Sequence, residues 1–430
     1  MDTYTATLHH LQTPQGVSAF EALYGSGDGM LSRQLTRYIS LVKAHMDLFS
    51  AHAPLYLFSA PGRTEITGNH TDHQNGRVMC AAVDLDTIAA VSPRQDLKVN
   101  LQSVGYKMLN MDLSSLAPVR EEAGTTAALI RGVAAGLKSI GRNVCGFDAM
   151  VMSDVMSGSG LSSSAAFEVL ICQIMDTLTQ SEAPVDPVTR AKISQYAENE
   201  FFMKPSGLMD QMACSLGGLS VIDFKQPEPQ ISTLSYDFEK KGYHLAVVDT
   251  RGSHDHLTHA YAAIREEMTA VARYFGESVL RRVRKEQVLM DLGGLRKQAG
   301  DRAILRALHF FNENERVSRA YECLQQDDLR GFFDVINASG ESSWTLLQNT
   351  FADEREQPLC LALALAGEML KGCGAWRVHG GGFAGTTLNF VPAGMMSAFT
   401  ARMESAFGAG CCYALNVRSA GPVCLHQENA

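Results

Sequence analysis

The stretch DVMSGSGLSSSAAFEV, residues 154–169, separates an apolar run that predicts a buried strand (147–155) from a second run with the period of a largely buried helix. Its glycines permit a tight turn, and the turn leads into the N-terminus of the helix. Such an end presents free N–H groups and the positive pole of the helix dipole, which together bind phosphate. The loop residues in position to contact phosphate are Gly158, Gly160, Ser162, Ser163 and Ser164.

Two interpretations of this loop are open from its residues alone. Serine hydroxyls can cap a helix, which would make the segment an N-capped core helix, or they can bind phosphate oxygens and magnesium. The loop matches neither the GxxxxGK[ST] pattern of a Walker A loop nor the GxGxxG pattern of a dinucleotide site. The functional alternative is therefore a phosphate loop of another class.

The composition of the chain is that of a globular protein without a nucleic-acid surface. The 430 residues predict two domains, and 46% of them are hydrophobic while 19% are charged. A net charge of −9 argues against general binding of nucleic acid. The ten cysteines form no CxxC pair, which predicts reduced thiols, and neither a signal-peptide pattern nor a bilayer-spanning apolar stretch is found. We therefore expect a cytoplasmic protein with no nucleic-acid or membrane partner.

Periodicity along the chain predicts an α+β protein in two halves. Residues 1–30 are polar and contain several glycines, so we expect a loosely packed extension there. Residues 31–215 form the predicted N-terminal domain, and residues 216–430 form a helix-rich C-terminal domain. Within the first domain, Val78–Val83 and Thr87–Val91 predict two strands on either side of a turn.

A second polar motif, PGRTEITGNHTDHQNG (61–76), follows the strand predicted over Leu55–Ser59. Sites are often built where a strand ends, and this segment is dense in groups that can bind a ligand. Those groups are Arg63, Glu65, Asn69, His70, Asp72 and His73. The density of charge and the flanking glycines favour a ligand site over a loop that is merely hydrogen-bonded to itself.

This motif is similar to the galactokinase signature GRxNxIGEHxDYxxG. The two agree at Gly62, Arg63, Ile66, Gly68, His70, Thr71, Asp72 and Gly76. They differ at Glu65, Thr67, Asn69 and His73, where the signature has asparagine, often isoleucine, glutamate and tyrosine.

Further segments carry the same resemblance in the same order along the chain. The phosphate loop resembles the PxxxGLSSSA motif of the GHMP small-molecule kinases, with Met156 in place of the usual proline. AENEFFMKPSGLMDQ (197–211) resembles AEHxFxGxxCGIMDQ, RALHFFNENERV (306–317) resembles RAxHxxxExxRV, and GGGFAGTTLNFVP (380–392) resembles GGGFGGCxVxLVP. The sequence is identified as a member of the galactokinase family. The resemblance implies the GHMP kinase fold, with a ribosomal-protein-S5-like N-terminal domain and a ferredoxin-like C-terminal domain.

The resemblance also implies a reaction, the transfer of the ATP γ-phosphoryl group to a sugar with the help of Mg²⁺. Asp210 corresponds to the proposed proton acceptor, and a nearby Arg63 would keep its carboxylate ionised. Glu198 and Ser163 are the predicted Mg²⁺ ligands. The predicted sugar-binding residues are Asn69, His70, Asp72, Gly207 and Tyr261.

The substrate is open between D-galactose, which we favour, and a related sugar such as galacturonate, N-acetylgalactosamine or arabinose. Asn69 and His73 depart from the signature, and neither an asparagine nor a protonated histidine would repel a sugar carboxylate. A non-catalytic sugar sensor is the alternative of a different class, and the intact serine run and Asp210 argue against it. We expect a monomer or a weak homodimer.

Overall fold

The structure is a computed structural model. It describes residues 3–25, 28–49, 54–155, 160–180, 183–252, 257–383 and 385–427. The strands in these ranges are β1 (Tyr56–Thr67), β2 (Arg77–Pro93), β3 (Lys98–Ser103), β4 (Leu109–Asp112), β5 (Phe147–Ser153), β6 (Leu219–Asp223), β7 (Gln230–Leu234), β8 (Tyr243–Asp249), β9 (Ala375–His379), β10 (Thr386–Pro392), β11 (Cys412–Leu415) and β12 (Val423–Gln427).

Helices account for most of the remaining described residues. They are α1 (Thr3–His10), α2 (Pro14–Tyr24), α3 (Asp28–Leu48), α4 (Thr126–Ser139), α5 (Ser163–Leu178), α6 (Pro187–Tyr196), α7 (Met209–Leu216), α8 (Thr258–Tyr274), α9 (Lys285–Met290), α10 (Leu292–Gln298), α11 (Asp301–Gln325), α12 (Leu329–Ser342), α13 (Pro358–Leu370) and α14 (Met396–Phe407). A π-helical turn, Ala197–Phe201, continues α6, and a second one, Ser343–Leu347, continues α12.

The strands form two sheets. The larger has the order β12-β1-β2-β5-β3-β4, and β6 pairs with β2 and β7. The smaller has the order β11-β8-β10-β9. The larger sheet therefore continues past residue 215, at which the predicted domain division was placed, and it takes in β12 from much later in the chain.

The central strands of the larger sheet are buried on both faces. In β1, Phe58 belongs to the main apolar core with α4 and α5, whereas the neighbouring Leu57 packs with α1, α2 and α3. In β2, Ala89 belongs to the main apolar core, and the neighbouring Ile88 packs with α1, α2 and α3. Successive residues of a strand point to opposite faces, so a strand covered on both sides is a continuous apolar run.

The N-terminal residues are packed helices, so the predicted loosely packed extension over residues 1–30 is wrong for the part that the structure describes. Tyr4 and Phe20 are buried in the core that covers one face of β1 and β2. The Pro and Gly that suggested a loop instead start α2. Thr13 caps this helix by accepting a hydrogen bond from the N–H of Gly16 at 3.2 Å, and Pro14 occupies its first turn.

Two strands are longer than their patterns predicted. β1 continues through the polar motif to Thr67, so Arg63 and Glu65 lie within a strand. β2 runs without interruption through Asp84 and Asp86, where we predicted a turn. Both aspartates are buried, and a buried carboxylate is tolerated in a strand when its oxygens have partners.

Two further predictions concern compartment. All ten cysteines are free, in agreement with the reduced thiols that the absence of a CxxC pair predicts. Within the described ranges, every helix is too short or too polar to cross a membrane.

Candidate active site

A small open cavity at the end of β1 collects six of the seven predicted catalytic and sugar-binding residues. Its volume is about 180 Å³. It is lined by Arg63, Glu65, Asn69, His70, Asp72, Ser206, Gly207, Met209, Asp210, Gly380 and Gly381. A larger cavity of about 660 Å³ lies between α2, β7 and β11, and in the described part of the chain it is lined by none of the predicted site residues.

The centre of the smaller cavity is the ion pair between Arg63 and Asp210. Arg63, on β1, donates to Asp210 Oδ1 from Nε at 2.8 Å and from Nη2 at 2.7 Å. The hydroxyl of Ser162 donates to the other oxygen, Oδ2. Burial acts to raise the pKa of Asp210, but Arg63 and the hydrogen bond from Ser162 outweigh it and hold the pKa below its usual range. Asp210 is therefore an ionised carboxylate that faces a cavity.

The predicted phosphate loop lies next to this pair. Arg63 also donates from Nη1 to the carbonyl of Gly160, and Ser162 immediately precedes α5 in the left-handed conformation, with φ 57°. No described side chain caps the N-terminus of α5, and its first turn contains no acidic residue. Its first N–H groups are therefore open to an anion. Gly158 lies outside the described residues.

Gly160 is needed where it stands. A Cβ on this residue would come within 2.7 Å of Thr386 Oγ1 and 3.0 Å of His379 Nδ1, and its φ of 73° favours glycine. The loop thus packs closely against the β9–β10 hairpin. Sequence reasoning assigned neither Thr386 nor His379 to the site.

Glu198, in the π-helical turn after α6, is the second carboxylate beside the loop. Its Oε1 accepts from Ser164 Oγ at 3.1 Å and from Lys204 Nζ at 2.8 Å, and its Oε2 accepts from Gln211 Nε2 at 2.8 Å. The serine in contact with Glu198 is Ser164, whereas the predicted Mg²⁺ ligand was Ser163. A carboxylate beside a hydroxyl is a set of hard oxygen donors that fits Mg²⁺, which takes few protein ligands and keeps water and phosphate oxygens.

The opposite wall of the cavity carries Asp72 and Gly207. A Cβ on Gly207 would lie 1.9 Å from Asp72 Oδ2, so only glycine leaves room for this carboxylate. Burial raises the pKa of Asp72 to about 6, and the charges of Asp210 and Glu65 add to the rise. This carboxylate and that of Asp210 thus have pKa values shifted in opposite directions within one cavity.

His70 and Tyr261 join the signature loop to the glycines after β9. His70 Nε2 donates to the carbonyl of Gly381 at 2.9 Å, and burial lowers the pKa of this imidazole to about 4. The hydroxyl of Tyr261 donates to the carbonyl of Gly382 at 2.9 Å. The donor of each predicted sugar ligand is therefore already bonded to a backbone carbonyl. Tyr261 is not among the described residues that line the cavity, but its ring lies against Gly381, which does line it.

Asn69 has both ends of its amide engaged within the protein. Its Nδ2 donates to Glu65 Oε1 at 2.9 Å and to the carbonyl of Gly380 at 2.6 Å, and its Oδ1 accepts from Asn349 Nδ2 at 2.8 Å. The side chain is 1% exposed. Asn69 thus lines the cavity, but its polar groups are already occupied by the protein.

Helix α11 binds the segment from Thr67 to Asn69, within the galactokinase signature. Glu313 Oε1 accepts from Thr67 Oγ1 at 2.8 Å and from the N–H of Gly68 at 2.9 Å. His309 Nε2 donates to the carbonyl of Asn69 at 3.0 Å. Sequence reasoning did not assign these residues to the site, although the segment resembling RAxHxxxExxRV contains both and was the available signal.

Known proteins resemble the chain over most of its length. The galactokinase galactose-binding signature matches residues 43–93, and the N-terminal domain of GHMP kinases matches residues 128–218. A galactokinase of Streptomyces coelicolor is 33% identical over 84% of this chain and 91% of its own length. A galactokinase of Glaesserella parasuis is 29% identical over 82% of this chain and 90% of its own length.

Solved structures show the same fold. The crystal structure of Lactococcus lactis galactokinase complexed with galactose has a TM-score of 0.78 at 21% identity, covering 90% of this chain and 99% of its own. A mevalonate kinase has a TM-score of 0.61 at 14% identity, covering 84% of this chain and 99% of its own. The predicted GHMP kinase fold is thereby confirmed, and with it the prediction of an ATP-dependent sugar kinase. The chain belongs to the galactokinase family.

Proposed function

We propose that this protein transfers the γ-phosphoryl group of ATP to the anomeric hydroxyl of D-galactose. The observation that carries this proposal is the Arg63–Asp210 pair, which faces a small cavity on one side and the phosphate loop on the other. A sugar in the cavity and a phosphate at the N-terminus of α5 would meet at this pair. Phosphoryl transfer depends mainly on such positioning and on neutralising charge.

Asp210 has the properties of a proton acceptor in this geometry. Arg63 keeps it ionised, and its Oδ2 already accepts a hydrogen bond from the Ser162 hydroxyl. A sugar hydroxyl that replaced this serine hydroxyl would be placed to give up its proton to the same oxygen. Arg63 would in addition offset negative charge on the transferring group.

The phosphates and the metal belong to the loop side of the pair. The open N–H groups of α5 would bind phosphate oxygens of ATP. Glu198 and Ser164 would hold Mg²⁺, once Lys204 has moved from the same carboxylate oxygen. Mg²⁺ held by these residues would help to neutralise the negative charge of the ATP phosphates.

Galactose is favoured over galacturonate because the two residues that could have tolerated a sugar carboxylate, Asn69 and His73, are engaged within the protein or uncharged. Both ends of the Asn69 amide are engaged within the protein. Burial lowers the pKa of His73 to about 3, so this imidazole is neutral near pH 7. The cavity is lined by the carboxylates of Glu65, Asp72 and Asp210 and by the single guanidinium of Arg63 among the described residues. A uronate would be repelled by this surplus of negative charge.

The test is a substrate panel. The purified protein is incubated with ATP and Mg²⁺ and with galactose, galacturonate, N-acetylgalactosamine or arabinose, and ADP release is followed. ³¹P and ¹³C NMR then identify the phosphorylated carbon. We expect the highest kcat/KM with galactose and phosphate on its anomeric oxygen. A preference for galacturonate would refute the proposed substrate, and binding without turnover of any sugar would favour the sensor alternative.

We further propose that the enzyme acts in the cytoplasm as a monomer or a weak homodimer. The ten free cysteines and the cytosolic abundance of ATP support this compartment. Light scattering across a range of protein concentrations would measure the mass. A constant tetramer or larger assembly would contradict the proposed state.

A further inference from the structure

We propose that Glu65 binds a hydroxyl of the neutral sugar through its second carboxylate oxygen, and that Arg377 and Asn69 hold Glu65 in position for this contact. The proposal rests on the proposed function, since it concerns the sugar that the same cavity would take. It assigns to Glu65 the direct contact that the sequence pattern had assigned to Asn69.

The side chain of Glu65 is held in place by hydrogen bonds to only one of its two carboxylate oxygens. It lies on β1, is 2% exposed and lines the cavity with Asp72 and Asp210. Its Oε1 accepts from Arg377 Nη2 at 2.7 Å and from Asn69 Nδ2 at 2.9 Å. Two donors on one oxygen fix the plane and the direction of the carboxylate.

The other oxygen, Oε2, is free to meet a ligand. It has no hydrogen bond to any residue within the described ranges, and it is not among their fully enclosed side-chain atoms that lack a partner. An oxygen that is neither paired nor enclosed, on a side chain that lines a cavity, is the one that a bound molecule reaches. A carboxylate oxygen accepts hydrogen bonds and donates none when ionised, so its partner must be a donor such as a sugar hydroxyl.

Arg377 explains why a carboxylate is retained at this depth. Its side chain is fully buried, and it also donates from Nη1 to the carbonyl of Ile66 at 2.7 Å. Burial raises the pKa of Glu65, and the charges of Arg377 and Arg63 act against that rise. Charged acceptors discriminate strongly between a ligand that offers a donor and one that does not.

Asn69 acts in this arrangement as a positioning residue. Its amide is spent on Glu65, Gly380 and Asn349, which leaves it no donor for the sugar. The galactokinase signature has the same two residue types in the opposite order, with asparagine at position 65 and glutamate at position 69. The chain thus keeps one carboxylate and one amide here but exchanges their places.

The experiment compares sugars that differ by one hydroxyl. For the wild type and for Glu65→Gln, kcat/KM is measured with galactose and with galactoses that lack the hydroxyl at carbon 2, 3, 4 or 6. We expect Glu65→Gln to lose about 10- to 100-fold with galactose. It should lose less than about threefold with the one deoxy sugar whose missing hydroxyl is the partner of Glu65. Asp84→Asn is the matched control, because Asp84 is a buried carboxylate of the same sheet outside this cavity, and its effect should be equal for all sugars.

Folding is controlled separately. Glu65→Gln leaves the charge of Arg377 buried alone, so a second variant, Glu65→Gln with Arg377→Gln, removes both charges and should show the same dependence on one hydroxyl. A loss equal for all sugars, or no loss, would overturn the proposal, as would a wild type in which no single deoxygenation lowers kcat/KM about tenfold. A wild type that phosphorylates no galactose would refute the proposed function instead.

Discussion

Asp86, on β2, and Asp210, on helix α7 next to β1 and β2, are both aspartates paired with arginine, yet their surroundings differ. Asp86 is fully buried, and Tyr24, Arg37, Ser59 and Arg418 all donate to it. Asp210 also has an arginine, but its side chain is 33% exposed and faces the cavity. A carboxylate whose partners surround it fixes the structure. One whose partners hold it from a single side remains able to exchange a hydrogen bond with a ligand.

The largest effect on activity should follow from removing the carboxylate of Asp210, which faces the cavity. Asp210→Asn keeps the shape of the side chain but removes the proton acceptor, so we expect kcat to fall about 10²- to 10⁴-fold. Galactose and ATP should still bind, because the cavity and the loop stay in place. Turnover is measured by ADP release and binding by calorimetry. A variant with the kcat of the wild type would show that Asp210 is not the acceptor.

Removing the carboxylate of Asp86, which is enclosed by its partners, should lower stability and leave kcat unchanged. Asp86→Asn leaves Arg418 with an uncompensated buried charge and removes one of the two carboxylates paired with Arg37, the other being Asp154, which should lower the free energy of unfolding by about 3–5 kcal/mol. The kcat of the molecules that remain folded should not change. Urea denaturation measures the first quantity, and activity per folded molecule measures the second. Lost activity at unchanged stability would place Asp86 in the catalytic machinery and erase the contrast with Asp210.

Glu198 lies between these two cases, since it is buried and yet has an exchangeable partner in the half-exposed Lys204. Glu198→Gln removes a charged oxygen, so the Mg²⁺ concentration for half-maximal activity should rise at least about tenfold. Activity is titrated with Mg²⁺ at saturating sugar. Glu228→Gln is the control, because Glu228 forms an exposed ion pair with Lys192 and does not line the cavity. An unchanged Mg²⁺ requirement would make Glu198 a structural residue like Asp86.

The smallest expected effect is a pH dependence from Asp72. Burial raises the pKa of this open carboxylate to about 6, so it is ionised above pH 6 and gains a proton below. A protonated Asp72 loses acceptor strength, and KM for galactose should therefore rise several-fold as pH falls from 7.5 to 5. In Asp72→Asn, which cannot titrate at this position, KM for galactose should stay constant between pH 7.5 and 5. A wild-type KM that is constant over the range would remove Asp72 from sugar binding.

Local patterns were enough to predict many elements of the fold. The strand predicted over residues 147–155 is β5, Phe147–Ser153, and the largely buried helix predicted after the glycine–serine loop is α5, Ser163–Leu178. Patterns failed where a distant group supplied the partner. A turn flanked by Asp84 and Asp86 was predicted between the strands Val78–Val83 and Thr87–Val91, and no local signal shows that Arg418 neutralises Asp86 within a continuous strand.

The candidate site shows the same division. The resemblance brought Arg63 and Asp210 into one site, and the structure places them in contact. It did not foresee that Asn69 would be occupied by Asn349, or that Glu65 would pair with Arg377 more than 300 residues later. These contacts are made between the two halves of the chain. They depend on how β9 and the segment that follows α12 pack against Glu65 and Asn69. No single stretch of sequence specifies this packing.

The position of β12 has a consequence for biosynthesis. β1 carries Arg63 and Glu65, and along its first residues it is paired on one side with β2 and on the other with β12, from Tyr56 with Gln427 to Ser59 with Val423. While the chain emerges from the ribosome, β1 is made early and keeps an unpaired edge until β12 has been translated. The cavity itself needs residues as late in the chain as Gly380 and Gly381, which line it. The nascent protein therefore passes through a long interval in which an exposed strand edge is open to aggregation or to a chaperone.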